Sequence, residues 1–207
     1  MLRRIGTGLL ALWLGLAGTA SAQPVAPDVL VRGTTEEVVR IVKQDKELRN
    51  GDPQKVYELV DTRVLPHFDF RAMTQLAVGR HWRSASPEQQ AALVKEFRTL
   101  LVRTYSAAIG SVVDYRIDFK PLRMRPEDTD VVVNTEVSRP GSPPVTLDYR
   151  LERQANGWKV YDVLVDNVSL VTVYRNSFNN EVRRGGIDGL IQSLVRRNQR
   201  GEDTGGR

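Results

Sequence analysis

The chain has 207 residues, no cysteine and a formal charge of +5, which excludes disulfides, thiolate metal sites and a cysteine nucleophile, so that stability must come from packing. Its 30 basic residues are mixed with 25 acidic ones, a modest surplus rather than the basic footprint of a nucleic-acid binder. The length fits one domain able to bury a substantial core.

The N-terminus carries Arg3 and Arg4, the apolar run Leu9 to Leu16, and the small residues Ala20-Ser21-Ala22, the three-part layout of a secretory signal. We expect residues 1–22 to be a cleaved signal peptide and the mature protein to work outside the cytoplasm. The apolar run is shorter than the ~20 residues that a spanning helix needs, and no stop-transfer cluster follows it. Loss of the two arginines lowers the charge to +3. Residues 23–200 are expected to form a single domain that starts with a short linker, Gln23 to Pro27; 201–207 read as a flexible polar tail. No internal repeat or low-complexity block is present.

The first half reads as helices. Asp28 is expected to cap a segment in which Val31, Val38, Val39, Ile41 and Val42 recur at helical spacing. Asp52-Pro53 is a capping side chain followed by a proline at the first helical position, leading into Val56, Leu59 and Val60. Asp69 opens a short helix that carries Phe70, Met73 and Leu76 and closes at Gly79. Ser86-Pro87-Glu88-Gln89 is a capping box. Behind it Leu93, Phe97, Leu100, Leu101, Tyr105, Ala108 and Ile109 keep the 3.6-residue period.

The second half switches to a period of two. Tyr115, Ile117 and Phe119 alternate with polar residues, as do Val131, Val133, Thr135 and Val137, then Val145, Leu147, Tyr149 and Leu151, the pattern of half-buried antiparallel strands. A fourth strand, Trp158 to Val165, follows Asn156-Gly157, the strongest short hairpin signal in the chain. Helices are expected again from about Val168 to Arg183 and, after Gly185-Gly186, through Ile187, Leu190, Ile191 and Leu194. The fold class is therefore α+β: N-terminal helices, a four-stranded curved antiparallel sheet, and C-terminal helices.

Little in this sequence points to catalysis. His67 with Asp69 finds no third ligand at a useful spacing, so no metal site is expected. No phosphate-binding glycine loop, serine elbow or zinc-binding histidine pair appears. One acid stands out. A two-residue Asn156-Gly157 turn would pair Trp158 with Ala155 and put Asp162 opposite Leu151, on the apolar face that carries Tyr149, Trp158, Val160 and Leu164. Desolvated there, Asp162 could serve as a general base; paired with an arginine or with backbone N–H groups it would be structural. A one-residue change of loop length would move it to the other face. The basic pairs Arg183-Arg184 and Arg196-Arg197 fit a solvated helix face or an acidic partner surface.

Three stretches together resemble the MlaC family of periplasmic phospholipid-binding proteins, also called toluene-tolerance proteins. They are Phe68-Asp69-Phe70-Arg71-x-Met73 with Val78-Gly79-Arg80-x-Trp82-Arg83; Ser86-Pro87-Glu88-Gln89 with Phe97 and Leu101-Val102-Arg103-Thr104-Tyr105; and Trp158 to Val163 with Val168-Ser169-Leu170, Tyr174-Arg175, Phe178 and Gly186 to Ile191. Val78 stands where the family favours Leu, and Asn167 where it favours Gly; Asn is the next best residue at positive φ, so the turn is expected to survive.

The resemblance implies a cone-like fold related to nuclear transport factor proteins, enlarged around an internal apolar cavity for lipid tails. It implies no enzymatic activity and no cofactor, only phospholipid as cargo. The implied role is a periplasmic shuttle between an outer-membrane lipoprotein and porin complex and an inner-membrane ABC transporter, which keeps phospholipid out of the outer leaflet. For the cavity lining, periodicity then selects Leu101, Tyr105, Ile109, Val133, Val137, Leu147, Tyr149, Leu151, Val160, Val171 and Phe178. The competing readings are a cone-fold isomerase or lyase acting on an apolar carbonyl compound, with Asp162 as base and Tyr149 as donor, and an adaptor with a solid core.

Overall fold

Side-chain caps set four of the α-helix starts. The structure, a computed structural model, describes residues 25–200; the signal peptide expected over 1–22 and the tail expected over 201–207 lie outside the described residues. Helix α1 (Pro27–Gln44) has no side-chain cap: it starts one residue before Asp28, after Ala26, with Pro27 pre-set for the first turn and no side chain on the free N–H groups. Asp28 sits inside the first turn, where its charge complements the helix dipole. Asp45 caps α2 (Lys46–Arg49) by accepting from the Glu47 and Leu48 N–H groups, and Asp52 does the same for α3 (Pro53–Leu59) through Gln54 and Lys55. The chain then runs through a π turn and a 3-10 turn that ends at His67.

Asp69 caps α4 (Phe70–Val78), and Gly79 at φ +60° ends it. The capping box of α5 (Pro87–Tyr105) closes as expected, the Gln89 N–H donating to Ser86 Oγ at 3.2 Å and the Ser86 N–H to Gln89 Oε1 at 3.0 Å. This helix does not run on to Ile109. After Ser106, whose N–H and hydroxyl both donate to the Val102 carbonyl, a separate short helix, α6 (Ala107–Gly110), follows. The break re-aims Ile109 away from the stripe that carries Leu101 and Tyr105.

Five antiparallel strands follow in the order β1-β2-β3-β4-β5: Arg116–Phe119, Asp130–Ser138, Val145–Gln154, Gly157–Val165 and Val168–Ser169. The fifth replaces the expected start of a helix. Asp166 at φ +47° and Asn167 at φ +64° form a two-residue turn that pairs Val165 with Val168 and Leu164 with Ser169, so Asn167 holds the positive φ expected of it. The last helix, α7 (Arg175–Arg200), is interrupted where expected, at Gly185 and Gly186, the latter at φ +66°.

The β3–β4 hairpin differs from its expected register, and the difference decides the fate of Asp162. Gln154 pairs with Gly157, so the turn is Ala155-Asn156 rather than Asn156-Gly157, and Val160 stands opposite Leu151. A bulge at Tyr161 then shifts the register by one, pairing Asp162 with Arg150 and Val163 with Tyr149. That single extra residue turns Asp162 off the face shared by Leu151 and Tyr149.

Three apolar clusters hold the elements together. One joins α4, α5 and α7 around Phe97, Phe178, Tyr174 and Leu194, with the aromatic rings edge-on at 5.2 Å. Another sets Val31 of α1 against Val131, Val133, Leu151 and Val160 of the sheet. The third packs Val38 and Val42 of α1 on α2, α3 and Val102.

Candidate functional site

Between the second and third clusters the packing is incomplete. A cavity of about 300 Å³ lies there, predominantly apolar in its lining and partly open. Helix α1 supplies one wall through Leu30, Val31, Thr34, Thr35 and Val38, residues that repeat every third or fourth position and so share a face. The 3-10 turn and its exit contribute Val64, His67 and Phe68; α6 and the segment behind it contribute Ala108, Ile109, Ser111, Val112 and Tyr115. The sheet closes the far side with Ile117, Val137, Leu147, Tyr149 and Val160, one from each of β1, β2 and β4 and two from β3, all on the face that strand alternation turns inward.

Of the eleven lining residues expected from periodicity, Ile109, Val137, Leu147, Tyr149 and Val160 meet at this cavity. Leu101, Tyr105, Val171 and Phe178 do not: they pack in the α4–α5–α7 bundle, with Val171 and Phe178 almost wholly buried. Val133 and Leu151 lie on the correct sheet face but deeper, against Val31 and Trp158, where no space is left. Periodicity identifies a buried face; it does not distinguish a wall from a core. The residues that it missed are chiefly those of α1, whose stripe was visible but had no assigned partner, and the polar minority Thr34, Thr35, Ser111 and His67.

The polar groups on the wall are held neutral. Burial, with the nearby Asp148 carboxylate, pushes the Tyr149 phenol up to about 12. Burial and the positive charge of Lys159 hold the His67 imidazole below its ordinary value, which favours its uncharged form at neutral pH. Asp69, two residues along the chain from His67, is engaged in capping α4 and accepts a bond from Gln154. Among the described residues no group of three or more His, Cys, Asp or Glu is placed to hold a metal.

Asp162 is fully buried but lies outside the cavity lining. Its Oδ1 accepts from the Val163 N–H and from the Ser169 hydroxyl, both at 2.9 Å, and Ser169 Oγ in turn accepts from the Thr172 N–H. Its Oδ2 stands 4.0 Å from the Arg150 guanidinium. These are the contacts of a structural carboxylate that ties β5 and the following 3-10 turn to β4, and the pairing with Tyr149 as base and donor that the competing enzyme reading requires is not formed.

The MlaC protein family matches residues 32–196 of the chain. The toluene tolerance protein ttg2D of Pseudomonas putida is 25% identical over 171 residues, spanning 82% of this chain and 78% of that protein. The intermembrane phospholipid transport system binding protein MlaC of Haemophilus influenzae is 21% identical over 179 residues, 85% of this chain and 83% of its own. A solved structure of the phospholipid-binding protein from Ralstonia solanacearum, in complex with a phospholipid, superposes with a TM-score of 0.79 at 41% identity, covering 86% of this chain and 99% of that one.

Proposed function

The chain belongs to the MlaC family, and from that premise we propose that it is a periplasmic phospholipid carrier that takes acyl chains into the cavity between α1 and the sheet. It receives and delivers its cargo between an outer-membrane lipoprotein and porin complex and an inner-membrane ABC transporter, and so maintains outer-membrane lipid asymmetry. The observation that carries this reading is the apolar cavity itself, set in a fold shared with a 41%-identical relative whose structure contains a phospholipid.

The physical need for such a container is large. Exposing two acyl chains of about thirty methylenes to water costs roughly 24 kcal/mol at ~0.8 kcal/mol each, so free lipid does not cross an aqueous gap at a useful rate. A bilayer already shields the tails, so the exchange from membrane to cavity is nearly balanced and partner proteins can bias it either way. The empty cavity is at the small end of the ~300–1,000 Å³ range of pockets for drug-sized ligands, and two acyl chains require more. Loading therefore moves α1, whose wall residues touch the sheet through apolar side chains that can slide, away from β2 and β3.

No observation favours the enzyme reading, because its base is turned off the cavity wall by the bulge at Tyr161. Native mass spectrometry of protein purified from cells tests the carrier directly. The expected spectrum contains a bound mass in the phospholipid range that vanishes on organic extraction; protein that arrives with no lipid and takes none from vesicles would end this reading.

A further inference from the structure

The apolar cavity does not end in neutral surface. It adjoins a cleft of about 500 Å³, and Thr35, Tyr115 and Ile117 line both spaces. The second space is more polar than the first. Arg32, Glu36, Arg40 and Lys43 line it from α1, at spacings of four, eight and eleven residues that place them in one stripe along the helix. Three cations therefore face one acid. Among the described residues none of the three cations has an ion-pair partner within 4.0 Å. The Arg32 guanidinium lies 4.3 Å over the Phe119 ring, another wall of the cleft, which holds it in place. Asp118 of β1, whose carboxylate feels the Arg32 charge, is already bonded to Lys120 at 2.7 Å. Where the two spaces meet, the Arg139 guanidinium stands 5.5 Å over the Tyr115 ring.

An amphiphile with its tails between α1 and the sheet has its polar end at the rim of the cavity, and this cleft offers unpaired positive charge at that rim. We propose that the α1 stripe Arg32, Arg40 and Lys43 is a phosphate subsite, which binds the phosphodiester of the lipid whose tails fill the cavity. The proposal rests on the carrier reading and adds to it a polar contact. Arginine suits the task, since its planar fork bonds two phosphate oxygens at once, and lysine adds a point charge. The subsite reads the phosphate common to phospholipids rather than the group beyond it, so it separates phospholipid from neutral diacylglycerol without separating one phospholipid from another.

The test uses two short-chain ligands with identical tails, dioctanoyl phosphatidylglycerol and dioctanoylglycerol, titrated into delipidated wild-type protein and into the Arg32→Gln, Arg40→Gln, Lys43→Gln triple variant. The triple variant is expected to bind the phospholipid about tenfold more weakly at low ionic strength, an effect that salt reduces, while dioctanoylglycerol binds both proteins equally. Equal binding of the phospholipid to both proteins overturns the subsite but leaves the carrier intact, and so does an equal loss for both ligands. Wild type that binds neither ligand overturns the carrier reading and the subsite together. Inorganic phosphate, titrated alone, identifies the source of the anion: weak binding without tails supports a headgroup site, whereas tight binding of free phosphate that the tails do not improve overturns the headgroup assignment.

Discussion

Tyr149 carries the most informative single side chain on the cavity wall. Its side chain borders the cavity, and its ionisation is raised from 10.0 to about 12 by burial and by Asp148. Tyr161, at the bulge, is raised to about 12 by burial and by the bond that its hydroxyl donates to Asp130 at 2.7 Å. In each case the folded state holds the proton more tightly than the unfolded chain. The associated stability is complete below pH 10 and is lost as pH rises through about 12. Urea midpoints measured at steps from pH 9 to pH 12 are expected to fall more steeply for wild type than for Tyr149→Phe or Tyr161→Phe. Identical slopes would show that these phenols ionise as freely in the folded protein as in the unfolded one.

Strands β2 and β3 show how one inward face serves two purposes. Val133 and Leu147 both point inward, yet Val133 is 1% exposed against Val31 and Leu151, whereas Leu147 borders the cavity. The same enlargement at the two positions should therefore have different effects. Leu147→Trp fills space that is empty in the structure, so most of the bound lipid is expected to be lost with the urea midpoint nearly unchanged. Val133→Trp overpacks a closed core at a cost of about 1–3 kcal/mol, seen as a lower midpoint. Lipid content by extraction and chromatography, read alongside the melts, separates the two; a loss of stability at Leu147 equal to that at Val133 would mean that the cavity wall is as tightly packed as the core. Helix α1 is the complementary element, with apolar residues turned to the sheet and a basic stripe turned to the neighbouring cleft.

At the scale of the whole molecule, the rigid and the adaptable parts are separate. The α4–α5–α7 bundle is closely packed around Phe97, Tyr174 and Phe178, while the cavity lies between α1, α6 and the sheet. A ligand that binds only the folded state raises its stability by mass action. Delipidated protein is therefore expected to melt at a lower temperature than the loaded form. Its added hydrogen exchange should concentrate in α1 and residues 106–115, with α5 and α7 little changed. Uniform acceleration across the bundle would show that the lipid is an integral part of one core rather than a guest at its edge.

Much of this was legible in the residues. Side chains at Asp52, Asp69 and Ser86 fixed where helices begin, because their oxygens satisfy N–H groups a few positions away; Gly79 and the Gly185-Gly186 pair fixed where they end or break; strict alternation fixed the faces of β2 and β3. The switch from helical spacing to alternation and back identified the α+β class, and the quoted stretches identified the family. All of these are local or depend on the order of residue types. What tertiary structure alone decided is long-range and sensitive to single residues. The bulge at Tyr161 took Asp162 out of the apolar face, α5 ended at Tyr105 and left Ile109 in a separate short helix at the cavity, and the approach of α1 left a gap beside Leu147 but none beside Val133. Burial follows from periodicity, but an unfilled space is a difference between packed volumes, and that difference exists only once the elements meet.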